Sequence, residues 1–278
     1  MQTARLNAGV TSPYGRMGSR RRALILAAHG SYARPETNRR TRAQADRLAD
    51  RWKRSRLFDE VVVAFHQGEP AFDSVLDTIT ATDVTIVPLM TSQGYFSNVV
   101  LPRALARNVR YEDVALRITA PVGTHAAIAS LAARRLRAIL KTYALNGEET
   151  RLAVIGHGSL RHRGSRRATI SLVEKLRRQG VCRDVSPAFL DESPRVDDVV
   201  AGSEQPNVVA LPLLIGDGDH AVRDVPRRLG LRPSGRRSPP LAGRVDHRFV
   251  VCDAALGTDA GIIDVVACLA TDACRGTL

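Results

Sequence analysis

Short apolar runs that stop abruptly at polar residues recur along this chain. In the carboxy-terminal half, LAVIGHGSL (152–160), AFLDESP (188–194) and ALPLLIGDGDHAVRDVP (210–226) end at His157, at Asp191 and Glu192, and at His220. Runs of this length closed by Gly, Pro or Asp predict buried strands followed by loops. Candidate metal-binding or proton-handling side chains therefore sit just past three strand ends, the edge where open parallel sheets bind ligands.

The pattern occurs twice. ALILAAHGS (23–31), AFHQGEP (64–70) and TIVPLMTSQGYFSNVVLP (85–102) follow the same order upstream, and APVGTHAAI (120–128) echoes AALGTDAGI (254–262). His29 precedes His157 by 128 residues, and Pro70, Pro88 and Pro102 precede Pro194, Pro212 and Pro226 by 124. A period this long is a duplicated domain, not a solenoid repeat. The copies differ where chemistry would reside: Gln67 matches Asp191 and Phe96 matches His220.

Between the strands the spacing turns helical. Ala45, Leu48, Ala49 and Trp52 share one face of a helix expected from about Glu36 to Arg54. Further helices are predicted near 71–79, 97–108, 124–140, 166–179, 195–201, 221–229 and 259–269. The Pro/Gly/Ser-rich segment 232–248 predicts a mobile surface loop. Strict strand–helix alternation predicts an α/β fold of two tandem doubly wound domains with parallel four-stranded sheets. The expected division is a basic disordered tail (1–22), a first half (23–142), a linker (143–151) and a second half (152–278). The tail is either disordered or precedes the true start, for which Met17 is the candidate.

Composition changes this picture only in its charge. Of the net +13, five arginines in residues 1–22 supply part, leaving 36 basic against 28 acidic residues, or +8, on the rest. That balance suits polyanionic partners, a small polycarboxylate included. Nucleic acid is not the expected partner: the arginine clusters fall in a tail and loops, aromatics are 4%, and no recognised nucleic-acid-binding signature is present. No apolar stretch approaches a membrane span, no secretory core is visible, and the four cysteines form no C-x-x-C. A cytoplasmic chain with reduced thiols, monomer or homodimer, is expected.

His157 lies between two glycines that let the backbone turn sharply and expose the imidazole. In a 2-1-3-4 strand order the loops after strands one and three face each other across the switch point, which pairs His157 with His220 although 63 residues separate them. Two neutral imidazoles suit Co²⁺, Ni²⁺, Fe²⁺ or Zn²⁺ with positions left open. Asp191 or Glu192 could complete such a site or take protons. His29 is a further metal candidate, whereas His66 reads as structural, and His125, His162 and His247 are given no role. No P-loop, dinucleotide fingerprint or G-x-S-x-G elbow occurs, so histidine-centred chemistry without a nucleotide remains.

HGS after the first strand, AF-x4-P after the second, PL and a Gly-rich loop before D-x-P, and LGT near the end resemble the class II tetrapyrrole chelatases, above all the two-domain sirohydrochlorin cobalto- and ferrochelatases of the CbiX/SirB type. The resemblance spans about residues 23–270, twice over. It implies a chelatase-like fold and ATP-independent insertion of a substrate metal, Co²⁺ or Fe²⁺, into a carboxylate-rich tetrapyrrole on the route to cobalamin or siroheme, with no permanently bound cofactor. It assigns the metal to His157 and His220. GDHA before the short helix and a carboxylate three residues ahead of Pro194 also resemble the anaerobic cobaltochelatases, whose carboxy-terminal half carries the site; that carboxylate would be Asp191, one methylene shorter than the glutamate expected there. Arg161 and Arg163, with neighbouring Arg166 and Arg167, would hold substrate carboxylates, and Tyr95 and Phe96 would pack on the macrocycle. The alternative is a non-catalytic relative that binds metal or tetrapyrrole. The chain departs from the long forms in that its amino-terminal half lacks the second histidine, at Phe96.

Overall fold

The computed structural model describes residues 21–52, 57–160, 162–232 and 239–276. The expected basic tail, the middle of the 232–248 segment and Arg161 lie outside the described residues, Arg21 and Arg22 excepted. The first half runs β1 (Arg22–Gly30), α1 (Pro35–Trp52), β2 (Glu60–Gln67), β3 (Asp83–Leu89), α2 (Leu101–Leu105), β4 (Ala115–Ile118) and α3 (Ala127–Thr142). The second continues with β5 (Thr150–Gly156), α4 (Gly164–Arg178), β6 (Asp184–Phe189), β7 (Asn207–Pro212), α5 (Val225–Arg228), β8 (Leu241–Val245), β9 (Arg248–Cys252) and α6 (Ile262–Arg275).

Sheet order is β2-β1-β3-β4 in the first half and β6-β5-β7-β9-β8 in the second. All pairings are parallel except β8 with β9. The 2-1-3-4 order expected from the sequence is present in both halves. The second sheet is nevertheless mixed and five-stranded, not a four-stranded parallel sheet. Residues 241–245, expected within a mobile loop, form an edge strand of a hairpin with β9. Asp246 and His247 both have positive φ, the backbone of a tight primed turn that suits strand twist. The Pro/Gly/Ser content of this segment hid a strand too short to show alternation.

Other helices are shorter than expected. Residues 71–79 contain only the 3₁₀ turn Val75–Thr78, and 195–201 only Val196–Asp198. Residues 97–108 open with a π turn, Phe96–Val100, leading into α2, and 221–229 open with the matching π turn His220–Asp224 leading into α5. Single π turns inside helices concentrate at functional sites.

Strand alternation sorts the core. Ala23, Ile25 and Ala27 of β1 pack outward with Phe72, Leu76, Leu101 and Leu105, whereas Leu24, Leu26 and Ala28 face the other half. In β5, Ala153 and Ile155 pack outward with Val196, Val199 and Val225, and Leu152 and Val154 face inward. The inner faces of both sheets join through α1, α3, α4 and α6 into one apolar core. Full burial of each such Leu or Ile contributes roughly 1.5–3 kcal/mol. The last helix of each half reaches across: α6 lies on β3 and α1, α3 on α4. Arg135 of α3 pairs with buried Asp253 at 2.7 Å and donates to the carbonyls of Ala254 and Ala255. Among the described residues no helix is long and apolar enough to cross a membrane.

Candidate functional site

The carboxyl ends of β1, β3, β5 and β7 open onto one cleft of about 1200 Å³ between the halves. Ordinary small-molecule sites occupy roughly 300–1,000 Å³, so this one has room for a macrocycle. His29, Tyr95 and Phe96 line it from the first half, and His157, Asp191 and His220 from the second.

The two histidines that strand order pairs do meet. The His157 and His220 rings stand edge to face at 89°, with centroids 4.9 Å apart. Gly158, at φ +79°, lets the chain turn after β5; a Cβ there would press on Glu192 and Phe189. Each ring is oriented by a carboxylate: His157 Nδ1 is 3.1 Å from Asp191 Oδ2, and His220 Nδ1 is 2.7 Å from Asp224 Oδ2. His157 Nδ1 also lies 3.1 Å from the Gly158 carbonyl. A proton held on Nδ1 toward these acceptors leaves the Nε2 lone pair for an incoming cation. Glu192 acts differently. It accepts from the Ser159 amide (3.2 Å) and from Arg166 (3.1 Å), whose guanidinium lies over Phe189, and so braces the loop. Among the described residues no group of three or more His, Cys, Asp or Glu is assembled as a metal cage. The arrangement is an open pair of imidazoles with carboxylates behind them.

Arg163 is exposed at the start of α4 and is not among the cleft-lining residues. Arg166 is engaged by Glu192 and the Ser193 carbonyl, and Arg167 lines a separate, smaller cavity of about 380 Å³. Among the described residues, the arginines that line the main cleft are Arg40 and Arg47. They form a stripe of α1 with Thr37, Thr41 and Gln44, alongside the buried Ala45, Leu48 and Trp52. That polar stripe at helical spacing was the available signal. Arg40 pairs with Asp217, and Arg34 with Asp219, which also accepts from Arg223 at 2.6 Å. Partial desolvation pushes the Asp219 carboxyl up, but hydrogen bonds from Arg223 and Arg34 outweigh it and hold it below the usual range. These pairs clasp the loop before His220 to the first half.

In the first half Phe96 stands where His220 stands in the second, 4.8 Å from the His29 centroid. Tyr95 stacks on His162 of the other half at 5.6 Å and 9°, bridging the two halves beside the cleft. His66, read as structural from the sequence, is exposed and packs against both His29 and Phe96. Desolvation, then the neighbouring His29, lowers its pKa.

Two doubly wound sheets whose ligand-bearing edges share one cleft constitute a tandem α/β protein of chelatase-like fold. A multi-domain Deinococcus radiodurans protein with structural similarity to chelatases superposes at a TM-score of 0.70 and 25% identity, over 91% of this chain and 55% of that longer one. CbiX of denitrifying bacteria, the terminal enzyme of siroheme biosynthesis there, superposes at 0.68 and 22% identity over 93% of this chain and all of its own. A Halobacterium salinarum protein described as a "probable sirohydrochlorin cobaltochelatase" is 32% identical over 271 residues, 90% of this chain and 91% of the relative. The CbiX family profile matches residues 23–139 and again 151–273; the chain belongs to the CbiX family.

Proposed function

We propose that this protein is a sirohydrochlorin chelatase that inserts Co²⁺ or Fe²⁺ into a carboxylate-rich tetrapyrrole without ATP, in cobalamin or siroheme biosynthesis, and that its second half carries the active site. The observation that carries the reading is the meeting of His157 and His220 in the cleft. A tetrahedral ion bound about 2.0–2.1 Å from two imidazole nitrogens holds the ring centres ~5.2 Å apart, and the observed 4.9 Å fits. Kinship with the Halobacterium relative supports the activity and favours cobalt.

The metal is a substrate, held briefly. The anionic macrocycle enters between the halves, its carboxylates drawn to Arg40 and Arg47, its face against Tyr95 and Phe96. The Nε2 atoms of His157 and His220 present the cation to the pyrrole nitrogens. Two pyrrole N–H protons leave as four nitrogens take the metal, and Asp191, beside His157 and open to solvent, accepts and releases them. Insertion is followed by the loss of metal-free sirohydrochlorin absorbance under excess Co²⁺. His157→Ala and His220→Ala are expected to abolish multiple turnover, with a smaller loss for His29→Ala. A dominant loss at His29→Ala would move the active site to the first half. Stoichiometric binding without turnover by the unaltered protein would make it a carrier.

A further inference from the structure

We propose a second divalent-cation site, in the amino-terminal half, formed by His29 and His66. In the parallel register of β1 and β2, Ala28 pairs with Phe65 and Gly30 with Gln67, so His29 and His66 are side-by-side neighbours at the carboxyl edge of the sheet. Both side chains are exposed, and their ring centroids are 5.3 Å apart at 66°. That separation matches the ~5.2 Å that two imidazoles on one tetrahedral ion require, as closely as the His157–His220 pair does.

The pair is held in place by the backbone beneath it. Asn38 accepts from the Ser31 amide at 2.9 Å and donates to the Ser31 and Gln67 carbonyls at 3.3 and 3.2 Å, tying the ends of β1 and β2 together. Gly30, at φ +69°, closes the same corner; a Cβ there would stand 2.5 Å from the Gln67 carbonyl oxygen. His29 Nδ1 lies 3.1 Å from the Gly30 carbonyl, as His157 Nδ1 lies 3.1 Å from that of Gly158. With the Nδ1 proton donated there, Nε2 is the free ligand atom. Among the described residues the His66 ring has no hydrogen-bond partner, so its lone pair is available.

The duplication explains why this pair differs from that of the second half. Phe96 stands in the place of His220 and cannot ligate, while the position matching His66 is Leu190, fully buried. One copy thus draws its second imidazole from the loop after its third strand, the other from its second strand. Two nitrogen ligands with water in the remaining positions suit borderline divalent ions such as Co²⁺, Ni²⁺ or Zn²⁺. Among the described residues neither imidazole has a carboxylate partner, as His157 and His220 do, so the site is the weaker of the two.

The test is isothermal titration of the full chain with Co²⁺, repeated with Ni²⁺, up to millimolar ion, with circular dichroism confirming the fold of each variant. Two ions per chain are expected for the unaltered protein, and one each for His66→Ala, His29→Ala and His220→Ala. None is expected for His66→Ala/His220→Ala. The proposal is overturned if His66→Ala binds as the unaltered protein does, or if His29→Ala loses an ion that His66→Ala retains. Loss of one ion in His66→Ala with none lost in His220→Ala would uphold this site and overturn the active-site assignment instead.

Discussion

Replacing Asp224 by asparagine keeps a side chain of the same size beside His220 but removes the charge that holds the Nδ1 proton in place. The native contact is short, 2.7 Å, and spans one turn of the π segment His220–Asp224. Loss of a carboxylate behind a metal-binding histidine typically lowers metal affinity by about 10–100-fold, or roughly 1.4–2.8 kcal/mol. Here the two side chains are 54% and 40% exposed, so water screens the pair and the low end applies: about a tenfold weaker Co²⁺ affinity. Asp191→Asn should lose less affinity, because its contact is longer, 3.1 Å, and the Gly158 carbonyl also accepts at His157 Nδ1. Its larger effect should fall on kcat, if Asp191 takes the pyrrole protons. Visible absorbance of bound Co²⁺ reports affinity, and sirohydrochlorin turnover reports kcat. Affinity within twofold of the unaltered protein for Asp224→Asn, while His220→Ala abolishes the site, would refute the carboxylate-oriented imidazole.

Arg40→Ala and Arg47→Ala should each raise KM for the polycarboxylate substrate several-fold, measured by turnover against substrate concentration; Co²⁺ affinity should be unchanged in Arg47→Ala and reduced in Arg40→Ala, which also frees the loop before His220 from its tie at Asp217. Arg135→Ala should destabilise the fold by about 3–5 kcal/mol by leaving Asp253 buried without its partner, read from urea unfolding, and adding Asp253→Asn should recover much of that loss. Burial raises the Asp253 pKa despite Arg135. With the folded value above the unfolded one, its contribution favours the fold at pH below the ordinary carboxylate value and is lost as pH rises through the folded value. Asp253→Asn should remove that dependence from unfolding measured across the acid range. Gly257→Ala places a Cβ 2.2 Å from the Ile215 carbonyl oxygen; it should lower Tm and also weaken Co²⁺ binding by displacing the loop before His220.

Much of this arrangement is legible in the sequence because short parallel strands carry their own punctuation. His157 and His220 could be paired from strand order alone, since the switch point is a property of topology. Asp224 was hidden because the His220–Asp224 contact depends on a π turn, which no residue periodicity announces. Arg163 was expected in the cleft for its nearness to His157 along the chain, yet the start of α4 carries it outside. The arginines that do line the cleft, Arg40 and Arg47, come from the other half, and only the packing of one half against the other reveals which helix faces the opening. His66 read as structural because a lone histidine after apolar residues usually is; its partner became visible only through strand register. The edge strand 241–245 was missed because none of its five residues is fully buried and its flanks are rich in turn formers.

The exchange of α3 and α6 between halves also governs how the jaws around the cleft behave. Because each half completes the other's hydrophobic layer, there is no hinge about which they could swing apart without opening the shared core. Widening the gap would therefore expose the apolar layer between the sheets, which favours a ligand that matches it as it stands. Cutting the chain within 143–149 should give two fragments that stay unfolded when made separately and assemble one-to-one when produced together.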